Sequence, residues 1–186
     1  MKRLGLLGML LAAAPAQATL ALPISVEQMA AAADVIVRAR VGEQQQILQD
    51  GRFVTLTALD VQDSVKGAAV GQQLMLFQVA APGASVFVPG EDIVFFGKRF
   101  QNYVVSFGLG RGKFTVHWRD AQAFVAEELG DIAFVKRGPS GTLLPAAQDA
   151  GPMRLETFLQ RLRAVKLVEL APPYRRARML IPRGAP

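Results

Sequence analysis

His117 is the single histidine in a chain of 186 residues that contains no cysteine. Zinc centres of the H-E-x-x-H kind need two histidines, while disulfides, thiolate metal sites, iron–sulfur clusters and cysteine nucleophiles all need thiols. Within Lys113–Trp118, His117 alternates with Phe114, Val116 and Trp118 and shares a face with Lys113 and Thr115, which places it on the solvated side of a strand. A Ser–His–Asp relay would have to bring it to Ser25, Ser64, Ser85, Ser106 or Ser140, and none of these stands in a G-x-S-x-G elbow. The run Gly108-Leu109-Gly110-Arg111-Gly112-Lys113 has glycines like those of a phosphate loop. However, Phe107 occupies the first glycine position of the Walker motif, and Lys113 the last glycine position of G-x-G-x-x-G. The run reads instead as a flexible connection between two strands. Glu91-Asp92 and Glu127-Glu128 are adjacent carboxylates; neighbours in a strand point to opposite faces, so they read as solvated turn charges rather than acid–base pairs. No catalytic, cofactor-binding or metal-ligating residue is assigned, and no cofactor is expected. An enzyme whose carboxylates converge only in three dimensions stays open as an alternative.

Charge supplies a second lead. The chain carries a formal +6, and the surplus is uneven: Arg161–Pro186 holds seven basic residues against Glu169 alone, whereas residues 19–160 hold 12 basic and 14 acidic. Arg175, Arg176, Arg178 and Arg183 are therefore candidate contacts for a polyanion such as nucleic acid, lipopolysaccharide or an anionic membrane surface. A solubilising tail is the plainer reading of the same residues.

The amino terminus has its own pattern. Lys2 and Arg3 precede an apolar run from Leu4 to Ala14, and Pro15-Ala16-Gln17-Ala18 follows. A basic start, a short apolar segment and an Ala-x-Ala ending describe a secretory signal peptide over residues 1–18, with cleavage expected after Ala18. The apolar run is too short to span a bilayer, which takes about 20 helical residues. The expected product is a mature chain of charge +4 in the periplasm or outside a bacterial cell, where a lack of cysteine is no handicap.

The elements that would position any site follow from periodicity. Ser25-Val26-Glu27-Gln28 is a capping box opening a short helix over about 25–33. The alternation of Val35, Val37, Ala39 and Val41 with Arg38 and Arg40 marks a strand. Between Phe53 and Val65 the apolar positions change from even to odd, which predicts a bulge. Further strands are expected at Gln73–Val79, Asp92–Phe96, Tyr103–Phe107, Lys113–Trp118 and, more weakly, Ile132–Lys136, with glycine- and proline-rich turns between them and a hairpin loop over 98–102. Residues 138–151 read as a loop or linker. Leu155, Phe158, Leu159, Leu162 and Val165 form the apolar stripe of an amphipathic helix over 152–168, and 169–186 form the basic tail.

Ala33-Asp34-Val35-Ile36-Val37-Arg38-Ala39-Arg40-Val41, with a long β segment closing in Val65-Lys66-Gly67, resembles the opening of secreted netrin-like domains, which are OB-type barrels. Pro89-Gly90-Glu91 before an apolar strand and Gly112-Lys113-Phe114 at the start of a later one are similar to exported bacterial β domains without established activity. The resemblance covers residues 25–118 and implies architecture. It does not carry over metalloprotease inhibition, because netrin-like inhibitors rely on disulfides and an N-terminal cysteine, whereas this chain is expected to begin at Thr19. The expected fold is thus mainly β: a five- or six-stranded antiparallel OB/netrin-like barrel over 19–137, flanked by the two helices. The expected function is a non-catalytic binding module for a protein or envelope component.

Overall fold

Ser25 starts the first helix as its type dictates. Its hydroxyl accepts from the Gln28 backbone N–H at 3.2 Å, and the Gln28 side-chain oxygen accepts from the Ser25 N–H at 2.9 Å, so two of the helix's orphan donors are satisfied. Helix α1 is Val26–Ala32. The computed structural model describes residues 19–21, 23–108, 110–128, 132–138, 141–146 and 151–165. The expected signal segment and the tail from 169 onward lie outside these residues.

After α1 the chain is β almost throughout. The strands are β1 (Thr19–Ala21), β2 (Val35–Gln49), β3 (Arg52–Lys66), β4 (Gln73–Val79), β5 (Asp92–Phe100), β6 (Tyr103–Ser106), β7 (Lys113–Arg119), β8 (Gln122–Glu127), β9 (Ile132–Arg137), β10 (Leu143–Pro145) and β11 (Met153–Arg154), and helix α2 (Leu155–Ala164) follows. Eight of them form one sheet in the order β11-β8-β7-β5-β2-β3-β4-β6, and β6 also pairs with β5. The five strands β2, β3, β4, β6 and β5 thereby close a ring, and β7, β8 and β11 extend it beyond β5. A separate three-stranded sheet, β1-β9-β10, places β10 in the segment expected to be a linker.

The ring has five strands, within the expected five or six, but the expectation of a wholly antiparallel assembly is corrected, and the sheet continues past the ring. β4 and β6 run parallel at Leu76↔Val104, as do β1 and β9. Further strands form by pairing: the polar Gly42–Gln49 continues β2 although it offers no apolar alternation, and Gln122–Glu127 returns antiparallel along β7. The β2–β3 ladder slips register three times, between Ile36/Val37, Arg38/Ala39 and Val41/Gln44. Each slip adds local twist, and that twist bends two fifteen-residue strands far enough to serve both sides of a ring.

The two faces of this sheet build two cores. Inside the ring lie Val35, Val37, Ala39 and Val41 of β2, Leu59 and Val61 of β3, Leu74 and Leu76 of β4, Ile93 and Phe95 of β5 and Val104 of β6, with Phe87 from the β4–β5 connection. The alternate residues Ile36, Val94 and Phe96 face the other way, with Phe114, Val116 and Val125, and are covered by Met29 and Ala30 of α1, by Ala33 just after it, and by Leu155, Phe158, Leu159 and Leu162 of α2. Rings of Phe96, Phe114 and Phe158 meet at 5.1–6.3 Å between centroids. Burying such a side chain contributes about 1.5–3 kcal/mol, so α2 is held by its apolar stripe. Arg163 to Asp63 at 2.7 Å and the Arg161–Glu27 pair sit at the rim.

Candidate functional site

Lys113 opens β7 directly opposite Phe95, so its side chain lies on the face that continues the ring interior. It is 1% exposed. Its ammonium donates to the Val86 carbonyl at 2.7 Å and meets Glu91 Oε2 at 2.8 Å and Glu128 Oε2 at 3.0 Å, 5.5 Å from the centre of the Phe87 ring. A buried ammonium needs such partners, because desolvating it alone would cost several kcal/mol. Burial pushes the Glu128 carboxyl up, but the Lys113 ammonium beside it helps to outweigh this and hold it below its ordinary value of 4.5.

Arg111, 5% exposed, reaches Glu127 Oε1 at 3.4 Å, donates to the Ile24 carbonyl at 3.2 Å and stands 4.7 Å over the Phe134 ring. Gly112 between them is obligatory in space: a Cβ there would lie 2.3 Å from the Phe96 carbonyl oxygen. Residues 110–113 are consequently a packed entry into β7. This corrects the reading of the glycine run as a flexible connection, and of Glu91 and Glu127 as solvated turn charges, while Glu128 stays exposed although it meets Lys113. Asp92 is corrected likewise, since it grips Arg38 with both oxygens, at 3.0 and 2.5 Å. His117 is exposed on β7, as expected, but Lys113 and Thr115, expected to share its solvated face, are buried. The lysine escaped sequence reasoning because its partners come from 22 residues upstream and 15 downstream.

These charges act as clamps on the 80–91 connection. Besides the Val86 carbonyl, Gln44 holds the Phe87 carbonyl at 2.7 Å, Gln78 holds the Ser85 carbonyl at 3.1 Å, and Ser85 donates to the Gly110 carbonyl at 2.6 Å. Phe87 is thereby pinned against Phe95, with ring centroids 6.1 Å apart.

Two of the open depressions on the outside are built from described residues. One, of about 510 Å³, sits between β2, the β7–β8 turn and α2, and includes Arg38, Asp63, Arg154, Glu156 and Arg163. Its charges largely cancel, since Arg163 is bound to Asp63 and Arg38 to Asp92. The other is a groove of about 640 Å³ across the outer face of β2, β3 and β4, lined by Glu43, Gln45, Leu56, Asp60, Gln73 and Met75 among others. Gly42 makes its floor low: a Cβ there would come within 3.1 Å of Ala58 and 3.4 Å of Asp60 Oδ2. Asp60 accepts from Gln73 at 2.9 Å across the β3–β4 pair.

The groove runs on into aromatic side chains. Leu56 pairs with Phe77 of β4, whose ring lies 5.9 Å from Phe100 and 5.6 Å from Tyr103. Composition and alternation concealed this site, because its polar residues read as the outside of strands and nothing else.

Arg175, Arg176, Arg178 and Arg183 lie outside the described residues. No group of three or more His, Asp or Glu side chains is arranged to hold a metal among the described residues, and none of their helices is long and apolar enough to cross a membrane. No known family model, curated protein or solved structure matches this chain.

Proposed function

We propose that the chain is an exported, non-catalytic binding module built on an OB-type barrel, and that it takes its ligand in the groove over β2, β3 and β4. Connectivity supports the barrel reading. Numbering the ring strands by chain order, neighbours run first, second, third, fifth, fourth and back to the first, with the third and fifth parallel. An OB barrel has five strands in a partly open Greek key, and its ligands lie on the face of the second and third strands. Those strands are β3 and β4 here.

The single observation that carries the binding reading is that this same outer face holds an open groove, while the helices cover the other outer surface. Buried charges serve the fold: Lys113 and Arg111 are each satisfied by carboxylates and carbonyls and by the ring beneath them.

The test is a Met75→Lys variant, which puts a long charged side chain into the groove from a half-buried surface position. Wild type and variant, matched in thermal unfolding, are each cross-linked in an extract of the cell envelope and recovered. The wild type is expected to retain a component that the variant loses. Identical recoveries would refute the assignment of the groove.

A further inference from the structure

We infer that the groove and its aromatic extension bind an uncharged, hydroxyl-rich oligosaccharide, an inference that rests on the binding reading above and names its ligand class. Three observations combine. First, the lining carries two carboxylates, Glu43 and Asp60, and no lysine or arginine. A polyanion entering it would meet like charge with no compensating cation.

Second, the remaining polar lining is amide. Gln45 is an exposed residue of the lining, and Gln73 is held in place by donating to Asp60 at 2.9 Å. An amide offers both donors and an acceptor, and a carboxylate accepts from hydroxyls; together they match the paired donor–acceptor character of sugar hydroxyls. Leu56, Ala58 and Met75 supply apolar surface between these polar groups.

Third, Phe77, Phe100 and Tyr103 extend the groove along β4, β5 and β6 with ring centroids 5.6–5.9 Å apart. Such rings present faces on which the C–H surfaces of a pyranose can stack, and Tyr103 adds a hydroxyl. An extended peptide would find less to hold. Peptide strands dock by adding to an open sheet edge, whereas β3 is bonded on both sides along the groove, by β2 and β4. Along β3 and β4 the groove is a face on which side chains supply the recognition, and a lysine-rich peptide tests the remaining edge, where Gln44–Gln49 of β2 is paired with β3 on one side.

The experiment titrates the ¹⁵N-labelled protein with four kinds of probe: cellotetraose and maltotetraose, tetra-N-acetylglucosamine, heparin, and a lysine-rich peptide. At least one neutral oligosaccharide is expected to shift the amides of Gln45, Leu56, Gln73, Met75 and Tyr103. Affinity should fall about tenfold or more in Tyr103→Ala and in Met75→Lys, and stay unchanged in His117→Ala. Gln73→Ala serves as the milder variant should Tyr103→Ala unfold. If heparin or the peptide shifts this face and no oligosaccharide does, the carbohydrate assignment falls while the binding reading stands. If no probe shifts it but Met75→Lys still loses an envelope component, the carbohydrate assignment falls alone. Should no probe shift it and that variant recover the same components as wild type, both fall.

Discussion

A lysine whose ammonium is enclosed on every side is worth what its partners are worth. Glu91 and Glu128 remain partly hydrated, with side chains 22% and 46% exposed, so removing Lys113 strands them less severely than a fully buried pair. Lys113→Met, which keeps the volume, is expected to lower stability in urea unfolding by about 2 kcal/mol, against the ~3–5 kcal/mol seen when a wholly buried pair is broken. The same variant should change the acid response. Glu128 is held below its ordinary 4.5, so its contribution is complete above that value and is lost as pH falls through the lowered native pKa. Unfolding free energies measured from pH 6 down to about pH 3 should therefore decline less steeply in Lys113→Met than in wild type. Equal slopes would show that the ammonium is not what depresses the carboxyl.

At the scale of elements, the long β2–β3 hairpin and the turn that ends it govern the ring. Gly67 follows β3 with a φ of +79°, and a Cβ there would sit 2.1 Å from the Asp34 carbonyl oxygen. Both the left-handed backbone and the close approach demand glycine. Gly67→Ala is expected to cost about 2 kcal/mol or more, read as a fall in the unfolding midpoint. A loss near zero would mean that β3 leaves the sheet by another route. The far end of the hairpin is different, since Leu48 and Phe53, opposite each other, are 66% and 68% exposed. Its register therefore depends on the turn at Asp50-Gly51, where both residues have positive φ, rather than on burial.

At the scale of the whole molecule, charge is divided between body and tail. Among the described residues Arg38, Lys98, Arg111, Lys113, Arg161 and Arg163 are tied to carboxylates, and residues 19–160 carry more acid than base. Any affinity for heparin should accordingly reside in Arg175, Arg176, Arg178 and Arg183. Deleting residues 172–186 is expected to flatten the salt dependence of heparin retention by up to about four counterions. An unchanged slope would place polyanion contacts on the body instead. This measurement is independent of the groove, whose lining is acidic.

The short-range rules were enough for several features. The Ser25 capping box, the alternation in Val35–Val41, the strand at Gln73–Val79 and the stripe of α2 all depend on neighbours a few residues apart, and each stands in the structure. What periodicity could not express was pairing between distant segments. Gly42–Gln49 and Gln122–Glu127 are strands because an adjacent strand satisfies their backbone, not because their side chains alternate. Lys113 is buried because Glu91 and Glu128 arrive from different elements. The groove exists only where three strands lie side by side. Composition and local pattern determined a β-rich chain with two capping helices. Closure of the ring, and with it which polar residues became clamps and which became a binding face, was decided by contacts between segments far apart in the chain.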